Sequence, residues 1–252
     1  MLAAESLQVT DVESIFSLTR TYDTDWVEFR TAFKLSHDSK HILNIMDTSV
    51  SNSDGKHEIA LRLRLGILLT AVHSTSPDQC DSRLTPIPIS PRCRFSFEPV
   101  IYKGEKRCLQ GLPSFSLWYG PYAEKEYAAA NFVVVETNKD QSSGGIPQAI
   151  AYMCKIHHAI FGLSTDNEQF HFLRIDSGGR WSRQDLNYSR RQEIVETLAY
   201  IHKQASILST LEGNDGPKKS RSQRRTEDWS VFRVDENMCS TDVSEEDGNA
   251  SD

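Results

Sequence analysis

The clearest pattern in the chain is the segment 131–136, Asn-Phe-Val-Val-Val-Glu, in which a continuous apolar run ends in a single carboxylate, Glu136. A β-branched run without polar alternation is typical of a central strand that is covered on both faces. A glycine-rich gap follows, and Pro147 then stands where a helix would begin, since proline is tolerated in the first helical turn. The apolar stripe that starts at Ala149 predicts that this helix runs to about Ala159.

Two strands downstream of this helix are predicted to form a hairpin. Residues 161–164 and 169–175 are separated by a polar segment with the composition of a turn. Alternation along the second strand places Phe170 and Phe172 on one face and Leu173 on the other.

Upstream of the apolar run, the pattern predicts further strands and a loop. Residues 94–102 and 114–119 are strand candidates. The prolines across 73–94 exclude a central strand there and favour a loop with an edge segment. Residues 57–72 alternate like a strand, yet they are rich in leucine, and we favour a helix.

The two ends of the chain differ in pattern. Helical spacing of apolar positions predicts helix over residues 5–46, followed by a loop over 48–56. Near the other end, Ser189 and Gln192 have the spacing of a capping box, and Gly213 is predicted to follow the end of the last helix. Beyond this point the chain lacks the apolar residues needed to fold alone, and disorder is predicted.

These elements predict an α/β fold, a mixed sheet flanked by helices. Residues 1–94 form a predicted N-terminal helical extension that packs on the core, residues 95–212 the core itself, and residues 213–252 a disordered tail that is basic and then acidic. A chain of 252 residues is long enough for one large domain or two small ones.

Charge changes this picture only moderately. The formal net charge is −7, and the tail from Glu212 accounts for −5 of it, with 6 basic and 11 acidic residues. The preceding residues are therefore nearly neutral, which argues against tight, non-specific binding of nucleic acid. The 5 cysteines include no C-x-x-C pair, so no zinc or redox motif is predicted.

Composition also predicts where the protein resides. The chain lacks a secretory signal pattern, and its longest apolar stretch, Leu61–Val72, is interrupted by two arginines and too short to span a bilayer. We therefore expect an intracellular protein with no membrane partner. The basic segment Lys218–Arg225 predicts either nuclear localisation or a solvated charge run, in which case the protein is cytoplasmic.

Several short motifs in the core occur in an order that resembles a known family. The chain from about residue 95 to 211 resembles the fungal PD-(D/E)XK nuclease-like domain of the restriction-endonuclease-like superfamily. The residues that carry the resemblance are Ser114-Phe-Ser-Leu-Trp-Tyr-Gly120, Asn131-Phe-Val-Val-Val-Glu136, Gln148-x-x-x-Tyr152 with Met153, and Phe172-Leu-Arg-Ile-Asp176 leading to Gly179-Arg-Trp-Ser182.

The resemblance implies a restriction-endonuclease-like sheet and Mg²⁺-dependent cleavage of nucleic-acid phosphodiesters. Glu136 matches the acidic residue of the motif, and Gln148 and Tyr152 match the helix that supports the site. Glu58 is a second candidate metal ligand, on the helix that precedes the core. Carboxylate oxygens of this kind are the ligands that Mg²⁺ prefers.

Two positions depart from the family pattern. Ser114 stands where an acidic residue is expected, and Asn138 stands where a lysine is expected. Lys139 is adjacent, but alternation along a strand would place it on the opposite face unless a bulge shifts the register. A neutral hydroxyl binds a hard cation more weakly than a carboxylate, and these departures predict an impaired site.

Three functions remain open at this point. The first is a catalytically impaired nuclease-like protein that binds nucleic acid or a protein partner, and the second is an active Mg²⁺-dependent nuclease. The third is a pure protein-interaction module, for which no cofactor is expected. The structural alternatives also remain: Glu136 as a surface strand cap, Gln148 and Tyr152 as the polar edge of a core helix, and Glu58 as a solvated charge.

Overall fold

The computed structural model of the protein describes most of the chain up to residue 215 and one short strand beyond it. The described residues are 2–22, 26, 32–52, 58–75, 89–91, 95–96, 99–111, 114–119, 130–136, 145–154, 160–176, 178–215 and 233–234.

The described residues form five α-helices and thirteen strands, together with short 3-10 turns. The helices are α1 (Val9–Phe16), α2 (His37–Asn52), α3 (Glu58–Thr75), α4 (Ile146–Met153) and α5 (Arg191–Asp215). The strands are β1 (Leu2–Ala3), β2 (Thr19–Arg20), β3 (Ile89–Pro91), β4 (Phe95–Ser96), β5 (Val100–Tyr102), β6 (Glu105–Arg107), β7 (Leu109–Gly111), β8 (Phe115–Tyr119), β9 (Ala130–Glu136), β10 (Ile160–Thr165), β11 (Gln169–Ile175), β12 (Arg180–Asn187) and β13 (Arg233–Val234).

A seven-stranded mixed sheet organises the fold. Its order is β2-β12-β11-β10-β9-β8-β3. The pairs β9–β10 and β12–β2 are parallel, and the other pairs are antiparallel. α4 connects the two parallel strands β9 and β10, which is the usual role of a helix in a parallel crossover. The prediction of an α/β fold with a mixed sheet is confirmed at this level.

Helices cover both faces of this sheet. On one face, α2, α3 and α5 build an apolar cluster with Phe115, Leu163, Phe170 and Phe172. On the other face, α1 and α4 build a second cluster with residues that include Leu173 and Trp181. β11 alternates between the two clusters as the sequence predicted, with both phenylalanines on one side and Leu173 on the other.

A smaller four-stranded sheet, of order β1-β7-β4-β13, contributes to the second cluster. It joins distant parts of the chain, since Leu2 pairs with Leu109 and Val234 pairs with Phe95. The segment before residue 95 therefore contributes strands as well as helices. β2 and β3 form the two edges of the large sheet.

Several predicted elements agree with the structure. The predicted hairpin is β10 and β11, in antiparallel register from Ile160↔Ile175 to Thr165↔Phe170. The segment with ambiguous periodicity is the helix α3, as favoured. The predicted strand over residues 114–119 is β8. The predicted edge segment is β3, whose one partner among the described strands is β8.

Other predicted boundaries are wrong in the N-terminal half. Residues 5–46 are not one helical region, because α1 ends at Ser17, which adopts a left-handed conformation with φ 53° and closes the helix. Part of the predicted loop is helical, since α2 continues to Asn52. The Thr48 and Ser49 hydroxyls donate to the carbonyls one turn earlier, and this keeps their donors satisfied within the helix.

Three predictions about helix ends are also wrong. Helix α4 ends at Met153, and Cys154 is already extended, while residues 155–159 lie outside the described part of the chain. A 3-10 turn precedes α5, and Asn187 rather than Ser189 caps it by accepting the Ser189 backbone N–H at 2.9 Å. Gly213 does not end α5, which extends to Asp215.

Within the predicted strand over residues 94–102, the structure describes β4 and β5, with Pro99 directly before β5. Residues 94, 97 and 98 lie outside the described residues. Apart from β13, the tail predicted to be disordered lies outside the described residues beyond Asp215. Within the described residues, no helix is long and apolar enough to cross a membrane.

Candidate functional site

The strand that carries Glu136 lies in the interior of the large sheet. β9 pairs with β10 in parallel and with β8 in antiparallel register, so both of its edges are hydrogen-bonded. Glu136 is its last residue and is in register with Thr165, the last residue of β10. The predicted central position of this strand is confirmed, and its final carboxylate residue stands at the carboxyl ends of two adjacent strands.

Ser114 lies at the same end of the sheet. It immediately precedes β8, whose first residue Phe115 is in register with Val134. The chain at Ser114 therefore enters the sheet beside the place where β9 leaves it. The residue is half-buried. We use the term sheet end for this edge, formed by the start of β8 and the carboxyl ends of β9 and β10.

Gln148 and Tyr152 form a buried hydrogen-bonded pair on α4. The Gln148 amide Nε2 donates to the Tyr152 hydroxyl oxygen at 2.9 Å. The two residues are 8% and 0% exposed. Pairs four residues apart lie on one helix face, so the predicted spacing gives a direct contact here.

Backbone register places α4 and the Glu136 position on different faces of the sheet. Val134 is in register with Phe115 and Leu163, which belong to the cluster under α3 and α5. Position 136 has the same parity as Val134 and therefore belongs to that face. α4 covers the opposite face. The structure thus brings Ser114 and Glu136 to one sheet end and places the Gln148–Tyr152 pair across the sheet from position 136.

The remaining candidates are divided between α3 and segments outside the described part of the chain. Glu58 is the first residue of α3, which packs on the face to which position 136 belongs. Asn138 and Lys139 lie outside the described residues. Among the described residues, no group of three or more His, Cys, Asp and Glu side chains is placed to hold a metal ion.

The donor set at the sheet end fits a divalent cation poorly. Mg²⁺ is held in proteins by carboxylates together with water and substrate phosphates, and hard cations favour charged oxygen ligands. Ser114 supplies a neutral hydroxyl in the place of a carboxylate. Glu136 and Glu58 are the acidic candidates for this end of the sheet.

An ionic network that the sequence reasoning missed fixes α3 to the sheet end. The Arg64 side chain is 7% exposed. Its guanidinium donates to the Asn167 carbonyl in the β10–β11 turn and lies 4.0 Å from the centre of the Tyr188 ring. Asp47 on α2 lies 3.5 Å from Arg64 and accepts from the Tyr188 hydroxyl at 2.9 Å and from Arg191 at 2.8 Å.

This network connects to the position of Glu136 through the turn. The Asn167 backbone N–H donates to the Thr165 hydroxyl at 2.9 Å, and Thr165 is the register partner of Glu136. A buried arginine needs such partners, because an unpaired charge away from water is strongly destabilising. The signal in the sequence was Arg64 itself, a charged residue directly before the buried Leu65 in a leucine-rich helix.

A second polar cluster on the large sheet was also missed. The His171 ring Nδ1 lies 2.7 Å from Asp185 Oδ1, and Arg183 lies 3.0 Å from the other Asp185 oxygen. Partial burial raises the pKa of Asp185, but the hydrogen bond with His171 and the charge of Arg183 outweigh it, and the net pKa is lowered. Residues 183 and 185 lie on the same face of β12, because side chains alternate between faces along a strand. The cluster could therefore be predicted once the register with β11 was known.

Comparisons with known proteins add no relative. No model of a known protein family matches the chain, and no curated protein matches it either. The resemblance to PD-(D/E)XK nuclease-like domains therefore stays a prediction that rests on the motifs quoted above.

Proposed function

We propose that this protein is a restriction-endonuclease-like, PD-(D/E)XK nuclease-like domain that binds nucleic acid and has lost efficient cleavage. The observation that carries the proposal is the arrangement of β9, α4 and β10. An interior strand ends in a carboxylate residue, a helix with a Gln-x-x-x-Tyr pair follows, and the next strand returns parallel beside the first.

The chemistry at the sheet end supports impaired rather than full activity. Phosphodiester hydrolysis with a divalent metal needs charged oxygen ligands and benefits from a nearby cation. Ser114 and Asn138 are neutral at the two positions where the motif has an acid and a lysine. Loss of one charged ligand is expected to weaken metal binding by several kcal/mol, and each ~1.4 kcal/mol is about tenfold.

The nearly neutral charge of the chain before the tail supports binding of moderate rather than high affinity. Binding that depends on phosphate contacts should weaken as the salt concentration rises, because the protein then gains less free energy by releasing condensed counterions. Salt-dependent binding would distinguish a nucleic-acid-binding domain from a pure protein-interaction module. Cleavage that depends on Glu136 would instead indicate an active nuclease.

The test uses the full chain with labelled single- and double-stranded DNA and RNA, in Mg²⁺ or Mn²⁺. We expect the unmodified chain to bind nucleic acid with an affinity that falls with salt. We expect no cleavage that depends on Glu136, so the unmodified chain and the Glu136→Gln variant should show the same background. Glu5→Gln is the matched control, because it removes the same charge from an exposed N-terminal position. A double variant, Ser114→Asp with Asn138→Lys, should introduce cleavage that Glu136→Gln removes again.

Two outcomes would contradict the proposal. Cleavage by the unmodified chain that is lost in Glu136→Gln would mean that the site is active. No binding to any of the nucleic acids, at low salt and with either metal, would mean that the domain serves another kind of partner.

A further inference from the structure

A half-buried and a buried histidine, His73 and His202, join α3 to α5 beside the first apolar cluster. The rings of His73 and His202 meet edge to face, with 5.2 Å between their centroids. His202 is 6% exposed, and its neighbour Ile201 is fully buried. The residues before His73, Ala71 and Val72, belong to the same cluster. The pair is therefore part of the packing that holds α3 against the rest of the fold.

Among the described residues, two polar contacts attach α3 to α5 and its preceding turn. One is the network at Arg64, which reaches Tyr188 and Arg191, and the other is the histidine pair. The two points are nine residues apart on α3, or ~14 Å at the rise of an α-helix. The second point consists of histidines, whose side chains change charge in mild acid.

The surroundings of the pair favour neutral rings. Burial lowers the pKa of His73, and burial together with the neighbouring His73 lowers the pKa of His202 to about 4. On α5 the adjacent titratable groups are Tyr200 and Lys203, and from β11 Arg174 acts on Tyr200.

We propose that the His73–His202 contact is an acid-sensitive latch that releases α3 from α5 when the medium becomes acidic. In the packed state, protonation would place two positive charges side by side in an apolar cluster. In a loosened state, each ring is solvated and accepts a proton without this penalty. Acid therefore favours the loosened state, in which α3 and its first residue, Glu58, separate from the sheet.

The sign and size of the effect follow from linkage. The loosened state binds more protons between pH 6.5 and about 4, so the packed state loses stability as the pH falls through this window. For each histidine, a fall of one pH unit in this window raises the ratio of loosened to packed molecules by up to about tenfold. Between pH 7.5 and 5.0, His202 alone should raise this ratio about 30-fold.

The test is amide hydrogen exchange on the full chain at pH 7.5 and 5.0, corrected for intrinsic exchange rates. We expect the opening ratio of α3 amides over residues 65–72 to rise about 30-fold, while that of the α4 amides stays within threefold. His202→Phe keeps an apolar ring in the contact and should reduce the change to a few-fold. His41→Gln, on the exposed side of α2, should keep the full change.

The proposal fails if α3 protection changes less than threefold, or if α3 and α4 loosen equally, since equal loosening indicates general acid unfolding. It also fails if His202→Phe keeps the 30-fold change. Should that variant not fold, His73→Phe removes the other ring of the contact and must likewise reduce the change. None of these outcomes depends on nucleic-acid binding, so the latch and the proposed function can fail separately.

Discussion

Gly111 in β7 lies directly against the phenol ring of Tyr152 in α4. A Cβ atom at position 111 would stand 1.9 Å from the Tyr152 hydroxyl oxygen and 2.2 Å from a ring carbon. Tyr152 is fully buried and cannot move aside freely. The small sheet and α4 are therefore in contact only because residue 111 has no side chain.

Gly111→Ala should accordingly destabilise the protein by about 3 kcal/mol, because overpacking a filled core forces side chains and backbone apart. Urea unfolding measures the change. Gly66→Ala in α3 is the matched control, since its nearest neighbour, a Phe115 ring carbon, is 3.9 Å away. That substitution should stabilise the protein by about 0.5–1 kcal/mol. Equal stability of the two variants would contradict the contact.

Arg64→Met should remove the buried guanidinium and keep much of its volume. The Asn167 carbonyl would lose its charged donor, and we expect a loss of about 2–3 kcal/mol in the free energy of unfolding. Arg107→Met provides the comparison, because Arg107 and Glu105 form an exposed pair and its loss should change stability by less than ~0.5 kcal/mol. Similar effects of the two substitutions in urea unfolding would show that Arg64 does not fix α3.

The Trp181 indole depends on a single carboxylate in α1. Its N–H donates to Glu13 at 2.9 Å, and the ring is 1% exposed. Glu13→Ala should leave this donor buried without its partner and lower the free energy of unfolding by about 1–3 kcal/mol. Glu5→Ala is the control, as Glu5 is exposed. Faster exchange of the indole proton by NMR should accompany the loss, and an unchanged indole signal would contradict the bond.

Asp185 should give the protein a weak acid dependence of stability. Its folded-state pKa lies below its ordinary value of 3.8, so this contribution is present above that value and is lost as the pH falls further. The side chain is 43% exposed, and solvent screening should keep the effect below ~1 kcal/mol. Urea midpoints at pH 5 and pH 3 should differ less for Asp185→Asn than for the unmodified chain. Asp38→Asn, which is 95% exposed, should leave the difference unchanged.

Local patterns predicted the central part of the fold well. The apolar run to Glu136 gave an interior strand, and the polar turn between two alternating strands gave the β10–β11 hairpin. In both cases, the residues that decide the structure are neighbours in the chain. Alternation was enough to assign the faces of β11 because each face meets a separate apolar cluster.

Contacts between distant segments were not predictable in this way. Apolar spacing near the N-terminus resembled a continuous helix, but residues 19–20 instead form a strand beside β12, where Arg20 lies 5.1 Å from the Trp181 ring centre. Arg64 and the β10–β11 turn are 103 residues apart. Pattern alone cannot show which partner will neutralise a buried charge, because that depends on how the helices pack across the sheet.

At the candidate site, the sequence predicted the strand end and the helical pair but not their relation to the sheet. Gln148 and Tyr152 contact each other as their spacing suggests. Their location on the face opposite position 136 depends on the parity of β9, which only the register with β8 and β10 reveals.

The first residues of the chain have a practical consequence for any shortened version of this protein. Ala4 and Leu7 are 1% and 2% exposed and belong to the cluster around Trp181, while β1 borders β7. Trimming seven residues from the amino end would uncover that cluster and leave β7 with an open edge, which invites self-association. Amino-terminal deletions are therefore poor candidates for crystallisation or for mapping partners.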